Sequence, residues 1–195
     1  MQIFKCRGMP NIRFLIFLIS TLWISGIQAC ATFDPGDLLG RPVKTTSKPG
    51  FNAQRLDKIT ILVEKGREIP DRMIEDEFIS ALLGKNYTIA ARSDTQAILK
   101  EMQFQKSGIT DDDAVNLGKV LNVQSVLIVS VTSLKVNKEK KQLECGLDAR
   151  LIGVERSEVL WIGTHSGSGA PDSENTLFKK LSAQLADKFP SHSPK

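Results

Sequence analysis

Ser125-Val126-Leu127-Ile128-Val129-Ser130-Val131 is the segment that best indicates the fold of this chain of 195 residues. It is a nearly unbroken apolar run, which is typical of a central β-strand covered on both faces. Such a strand needs further strands beside it and helices above and below it. The sequence on either side of this run should therefore supply the elements that complete a layered domain.

Two strands and two helices are predicted on the amino-terminal side of the central run. The short apolar runs 59–63 and 87–91 predict strands, because β-branched residues dominate the first and turn residues bound both. Pro70 opens a helix whose apolar residues recur at helical spacing. A second helix is predicted from Ser93 to Met102, with the hydroxyl of Ser93 as its N-cap.

A third helix is predicted from Thr110. Asp111, Asp112 and Asp113 place negative charge in its first turn, where the helix dipole favours it. Gly118 costs this helix about 1 kcal/mol of propensity relative to alanine. We therefore expect the helix to lie close against a sheet at that glycine.

Beyond the central run the sequence predicts two more strands, over residues 143–154 and 158–166, and a last helix over 173–189. The order is β-α-β-α-α-β-β-β-α, an α/β arrangement. It predicts a mixed β-sheet packed by about four helices, in a single three-layer domain over residues 57–190. Residues 191–195 are expected to form a disordered tail.

Residues 1–29 have the features of a secretory signal peptide. Lys5, Arg7 and Arg13 supply a basic region, and residues 14–24 form an apolar core of 11 residues. That core is shorter than the roughly 20 apolar residues that a membrane-spanning helix needs. An ordinary cleaved signal ending at Ala29 and a retained membrane anchor are two interpretations of this segment.

Ile27-Gln28-Ala29-Cys30 resembles the lipobox of bacterial lipoproteins. The resemblance implies that the Cys30 sulfur receives a diacylglycerol and that its freed amine is acylated, with palmitate the expected chain. Two or more acyl chains make membrane attachment stable. Ala31 in the following position implies sorting to the outer membrane, on its periplasmic face.

Charge and rare residues exclude several classes of function. Lys and Arg number 26 against 22 Asp and Glu, but three of the basic residues fall in 1–29, which holds no acid, so the remainder carries 23 minus 22, or +1. This balance does not predict a nucleic-acid partner. The chain has two His and three Cys, and we expect no metal site and no cofactor.

Cys145 is left without a disulfide partner if Cys6 leaves with the signal and Cys30 is lipidated. It lies in an alternating apolar run, so we expect its thiol to pack as a small buried group.

Residues 30–56 comprise the lipidated Cys30 and a flexible tether, since residues 31–56 are rich in Pro, Gly and polar residues. As a coil these 26 residues would span roughly 28 Å.

Four candidates for chemistry receive simpler structural interpretations. His165 beside Ser166 is expected to be a surface or edge histidine, and residues 166–169 a flexible connection. Residues 111–113 are interpreted as a helix start rather than a cation site. Residues 138–141 are interpreted as the solvated end of a hairpin, with a contact to acidic lipid or cell-wall polymers as the alternative. We identify no catalytic residues and do not expect an enzyme, and the sequence does not point to particular binding residues.

Three segments resemble the curli secretion lipoprotein family, CsgG. They are 91–101 (ARSDTQAILKE), 107–123 (SGITDDDAVNLGKVLNV) and 147–161, which ends in Glu-Val-Leu-Trp. The resemblance implies a CsgG-like, anticodon-binding-domain-like fold. Arg156-Ser157 replaces the family's Thr-Gly turn, and residues 134–142 form a short polar connection. Membrane strands need about 9–11 residues each, so we expect a short member that is not itself a pore.

These observations predict an outer-membrane-anchored periplasmic lipoprotein that acts as a non-catalytic, protein-binding assembly factor in envelope biogenesis or secretion. Its expected partners are the membrane, through the lipid anchor, envelope proteins, and other copies of itself as a homo-oligomer. The alternative is an activator of a peptidoglycan synthase, of the penicillin-binding-protein activator type. The short tether weighs against that alternative.

Overall fold

A computed structural model describes residues 41–64, 70–101, 109–139 and 141–192. The signal peptide, the lipobox residues Ile27, Gln28 and Ala29, and Cys30 lie outside these ranges. The strands are β1 (Lys44–Ser47), β2 (Lys58–Val63), β3 (Thr88–Ile89), β4 (Ser125–Asn137), β5 (Gln142–Gly153) and β6 (Glu158–Gly169), and the helices are α1 (Asp71–Gly84), α2 (Arg92–Glu101), α3 (Asp111–Val120) and α4 (Glu174–Asp187). The predicted order of elements is confirmed, with β1 added in front.

The six strands form one mixed sheet in the order β1-β6-β5-β4-β2-β3. The β2 strand pairs in parallel with both β3 and β4, and the remaining pairs are antiparallel. Parallel neighbours need crossover connections, which helices usually supply. Here α1 connects β2 to β3, and α2 and α3 connect β3 to β4.

Alternate residues of the central strand serve two separate apolar cores. Leu127 and Val129 of β4 belong to the cluster that contains residues of α1 and α4. Val126 and Ile128 belong to the cluster that contains residues of α2 and α3. All four are fully buried, as expected of a strand covered on both faces. The predicted three-layer α/β arrangement is therefore confirmed.

The predicted start of α3 is also confirmed. The Thr110 hydroxyl accepts a hydrogen bond from the Asp113 amide at 3.2 Å, and the Thr110 amide donates to the Asp113 carboxylate at 3.0 Å. This reciprocal pair is a capping box, which satisfies two backbone donors that the helix leaves unpaired. By contrast, α2 begins at Arg92, so Ser93 lies in its first turn and the predicted cap at Ser93 is wrong.

The second half of the predicted flexible tether belongs to the folded domain. Lys44–Ser47 pairs antiparallel with β6, and Phe51 packs against the core cluster under α1 and α4. A one-turn helix follows at Ala53–Arg55. The outer edge of β6 offers unpaired backbone groups, and a threonine-containing segment satisfies them by adding a strand. The domain therefore begins well before residue 57.

Two predicted connections are strands instead. The β4 strand continues to Asn137 because its pairing with β5 resumes after a bulge between Val131 and Ser133. The turn is therefore shorter than the predicted connection over 134–142. The β6 strand likewise continues to Gly169, where it pairs with Leu143, so 166–169 is not a flexible connection.

The carboxyl-terminal residues pack on the domain as far as they are described. Phe189 is buried, with its ring edge-on to those of Trp161 and Tyr87. The His192 amide donates to the Lys85 carbonyl at 3.2 Å. The predicted disordered tail over 191–195 is thus wrong for residues 191 and 192, and residues 193–195 lie outside the described ranges.

Candidate functional site

The helices α2 and α3 leave part of one sheet face uncovered. Their apolar cluster includes Ile152 and Val154 near the end of β5, but among the described residues it takes no member from β6 or β1. The residues beside that gap are what we call the open face: Lys44 and Thr46 of β1, Ile162, Thr164 and Ser166 of β6, Asp148 of β5 and Ser130 of β4, which the pairing registers place on one side of the sheet.

The open face is polar and partly accessible. Its hydroxyls on β4 and β6 are half-buried, whereas Ile162 keeps 44% of its surface exposed. A shallow cavity of about 320 Å³ lies over it, lined by Arg41, Lys44, Ser133, Asp148 and Thr164 among others. Burial raises the pKa of the Asp148 carboxyl, and the positive charge of Arg150 opposes that shift. Hydroxyls, a carboxylate and an isolated apolar side chain therefore remain on this face without a helix from the described ranges to cover them.

Arg150 joins three elements at the border of the open face. Its guanidinium donates to the Ile109 carbonyl at 3.0 Å, and its Nε lies 3.4 Å from an Asp111 carboxylate oxygen. Glu64, which follows β2, lies 3.8 Å away. These contacts fix the beginning of α3 against β5. They leave the Asp111 carboxylate beside a cation and the Asp113 carboxylate in the cap, which accounts for two of the three acidic residues.

A second cavity, of about 390 Å³, lies at the other end of the sheet. It is lined by the segment after β1 and by the turn between β5 and β6, including Phe51, Arg55 and Arg156. An ion pair between Lys48 and Glu158 crosses its rim. The mixture of one aromatic ring and several exposed charges does not define a chemical class of ligand.

His165 is buried, so the predicted surface or edge position is wrong. It faces α4, and its Nε2 lies 2.8 Å from the Gln184 side-chain oxygen. Successive side chains of a strand point to opposite faces, so the neighbouring Ser166 lies on the other side of the sheet. The two residues cannot form a nucleophile and base pair.

Cys145 is buried, as predicted, on the core side of β5. Desolvation raises the pKa of its thiol to about 12, with a smaller contribution from the charge of Glu174. A thiol with such a pKa is not a nucleophile at neutral pH. Across the ranges that the structure describes, no group of three or more His, Cys, Asp or Glu side chains could hold a metal ion.

The sequence contained a signal for the open face that periodicity alone did not reveal. Thr164, Ser166 and Ser168 alternate with residues that face α4, which is the pattern of a strand with one solvated face. The alternation was obscured because glycines occupy the core-facing positions 163, 167 and 169. At Gly163 a β-carbon would lie 2.5 Å from the Trp161 ring, so no larger residue fits there.

In the described part of the chain, no helix is both long enough and apolar enough to cross a lipid bilayer. The fold and the open face define a three-layer α/β domain with a partly accessible polar face. No protein-family model matches the chain, and no curated protein matches it.

Solved structures resemble this fold. A point-substituted PelC dodecamer from Paraburkholderia phytofirmans is similar with a TM-score of 0.51 and 16% identity, over 75% of this chain and 97% of that one. Lipoprotein GNA1162 from Neisseria meningitidis has a TM-score of 0.47 and 16% identity, over 68% and 99% of the two chains. The LpoB C-terminal domain from Escherichia coli has a TM-score of 0.46 and 15% identity, over 69% and 92%.

Proposed function

We propose that this chain is a lipoprotein of the bacterial envelope that acts by binding other proteins and catalyses no reaction. It is held by acyl chains on Cys30 at the periplasmic face of the outer membrane. The observation that carries the binding role is the open face, a partly accessible polar surface on an otherwise well-packed sheet. The lipobox-like sequence Ile27-Gln28-Ala29-Cys30 supports the anchor.

Self-association is one form that this binding takes. PelC, whose fold this chain shares, is a dodecamer. Here the sheet ends in two short edge strands, β1 of four residues and β3 of two. Short edges disfavour open-ended strand pairing between copies, so we assign the contact between copies to the open face rather than to a sheet edge.

Two processes remain as candidates for the role. The first is assembly or secretion in the envelope, similar to that of the curli lipoproteins but without a pore, which rests on the sequence segments described above. The second is activation of a peptidoglycan synthase, the role of the penicillin-binding-protein activator lipoproteins. An LpoB domain is among the solved structures that resemble this fold. The crosslinking experiment therefore looks for peptidoglycan synthases among the adducts.

Site-specific photocrosslinking in intact cells tests the binding surface. A photoreactive amino acid replaces Ile162 on the open face, and a matched variant carries it at Leu83 on α1, which is 54% exposed. We expect adducts from position 162 and few from position 83. Ladders of the chain itself support assembly, and an adduct with a synthase supports activation. Equal labelling from both positions would contradict the assignment of the open face.

The anchor has its own test. Replacing Cys30 with serine removes the acceptor sulfur, and we expect the chain to move from the outer-membrane fraction to the soluble periplasmic fraction. Mass spectrometry of the wild-type chain should show the added diacylglycerol and acyl mass on an N-terminal Cys30. An unmodified Cys30 in the mature chain would exclude the lipoprotein proposal.

A further inference from the structure

The turn between β4 and β5 carries a concentration of positive charge. Residues 135–144 include four lysines and two glutamates. Among the described residues of this turn, Lys135, Val136, Lys138, Glu139 and Lys141 are exposed, and Val136 keeps 57% of its surface accessible. We call these five residues the hairpin tip. An exposed apolar side chain between lysines is not explained by packing within the domain.

The hairpin tip lies at the end of the sheet farthest from the turn between β5 and β6. The β2 strand pairs with β4 only as far as Val129, whereas β4 continues to Asn137. The β4 and β5 strands therefore extend past β2 and end in the tip. Gly169, the last residue of β6, pairs with Leu143 at the same end.

The amino-terminal segment enters the domain on the side of the hairpin tip. In the β1–β6 ladder Ser47 pairs with Trp161 and Lys44 pairs with Thr164. Followed backwards from Ser47, the chain thus runs along β6 toward Gly169. Arg41 lines the same cavity as Thr132 and Ser133 of β4, only a few residues before the tip.

The covalent chain from Arg41 to Cys30 is short. Its 11 peptide links reach at most about 38 Å when fully extended. The root-mean-square span of an unstructured chain of that length is roughly 18 Å. A domain tethered through such a segment to a lipid surface keeps the entry side of the domain close to that surface. The lysines of the hairpin tip lie on that side.

We propose that the hairpin tip is a second membrane contact, which binds anionic phospholipid headgroups and orients the anchored domain with its open face accessible from the side. This inference rests on the proposed lipid anchor at Cys30. The occupant is the bilayer surface to which the chain is tethered, because the tip meets it at high effective concentration. Lys135, Lys138 and Lys141 supply the attraction, and Val136 enters the interfacial region.

The strength of the contact follows from the number of lysines. A lysine near an anionic lipid surface favours binding by about fivefold, and the effect decays within a Debye length of roughly 8 Å at physiological salt. Glu139 offsets part of this attraction. The tip is therefore too weak to bind free vesicles tightly, but it is sufficient to set the orientation of a chain that is already tethered.

The test uses the full lipidated chain reconstituted in vesicles, with an environment-sensitive fluorophore on a single introduced cysteine. One variant is Lys138→Cys in the hairpin tip, and the matched variant is Arg156→Cys, an exposed basic residue of the turn at the opposite end. Cys145 is buried and is not labelled. The vesicles contain phosphatidylethanolamine with phosphatidylglycerol, and a headgroup-attached quencher reports proximity.

We expect quenching at position 138 to exceed that at 156 by about threefold or more on anionic vesicles, and the excess to fall by at least half on phosphatidylcholine or at high salt. The triple variant Lys135→Gln, Lys138→Gln, Lys141→Gln, labelled at Val136→Cys, should be quenched no more than the variant labelled at position 156. A control variant removes the same number of positive charges elsewhere, through Lys85→Gln, Lys119→Gln and Lys188→Gln. Labelled at Val136→Cys, this control should still be quenched more than the variant labelled at position 156.

The outcomes separate this inference from the proposed anchor. A chain that does not float with the vesicles lacks the anchor, and the proposed function fails. A chain that floats but shows equal quenching at 138 and 156 keeps its anchor, and the orientation by the tip is wrong. Lipid-independent quenching, together with retention of the wild-type chain on purified cell-wall polymer, would assign the tip to a wall glycan instead and overturn the membrane contact.

Discussion

A β-carbon placed on Gly118 of α3 would lie 2.3 Å from Cγ2 of Val154, at the end of β5. Real β-carbon contacts are not that short, so the helix can rest at this depth only because the residue is glycine. The unfavourable helix propensity of Gly118 is thus offset by the close packing of α3 on the sheet. This confirms the contact that the sequence predicted.

Replacing Gly118 with alanine should therefore destabilise the domain. The gain of about 1 kcal/mol in helix propensity is outweighed by an overpacking cost of roughly 1–3 kcal/mol. Gly84 at the end of α1 is the control, since a β-carbon there meets nothing within 4 Å. Urea unfolding should show a lower midpoint for Gly118→Ala, and an unchanged or higher one for Gly84→Ala.

Truncating Phe189, in the segment that follows α4, should lower the stability of the domain strongly. Its buried ring contacts Trp161 at 5.0 Å and Tyr87 at 5.5 Å between centroids. Phe189→Ala is expected to lower the free energy of unfolding by about 3–5 kcal/mol. Val120→Ala, at an exposed apolar position, should change it by less than about 0.5 kcal/mol. Equal effects would show that this segment does not pack as described.

The domain should lose stability at alkaline pH. Burial raises the pKa of Tyr87 from 10.0 to about 12, and that of Cys145 from 9.0 to about 12. Above pH 9–10 the unfolded chain releases these protons while the folded chain keeps them, so the free energy of unfolding falls as pH rises toward 12. Urea midpoints at about pH 8 and pH 11 measure the loss. Tyr87→Phe should reduce the loss, whereas a loss unchanged in that variant would rule out Tyr87 as a source.

The turn between β5 and β6 should accept a glycine. Ser157 has a φ of 53°, in the left-handed region that costs an L-residue about 1 kcal/mol or more. Ser157→Gly is therefore expected to stabilise the domain by about 1 kcal/mol. The converse variant is Gly50→Ala, because Gly50 has a φ of 76° and open space around it. The midpoint temperature of thermal unfolding should rise for Ser157→Gly and fall for Gly50→Ala.

Strong periodic signals predicted most of the fold. The apolar run around Leu127, the capping residues Thr110 and Asp113, and the alternating run around Cys145 each determine a local structure that the rest of the domain reinforces. The order of elements and the three layers follow from them.

The sequence pattern does not predict elements that form only through tertiary pairing. The β1 strand, Lys44–Ser47, has no apolar periodicity and forms because the edge of β6 is free to pair. The sequence does not predict the buried position of His165, because its partner, Gln184, is 19 residues away on α4. The open face was missed for a related reason: whether a helix covers Thr164 depends on where α2 and α3 dock.

The pairing of β1 with β6 also has a mechanical consequence. If the chain is pulled from its amino-terminal side, the load acts along the axis of β1, so the four residue pairs of this ladder resist together in shear. Should they yield, residues 41–50 could extend to about 34 Å while Phe51 stays packed in the core. Detachment of β1 would then lengthen the amino-terminal segment before the core unfolds.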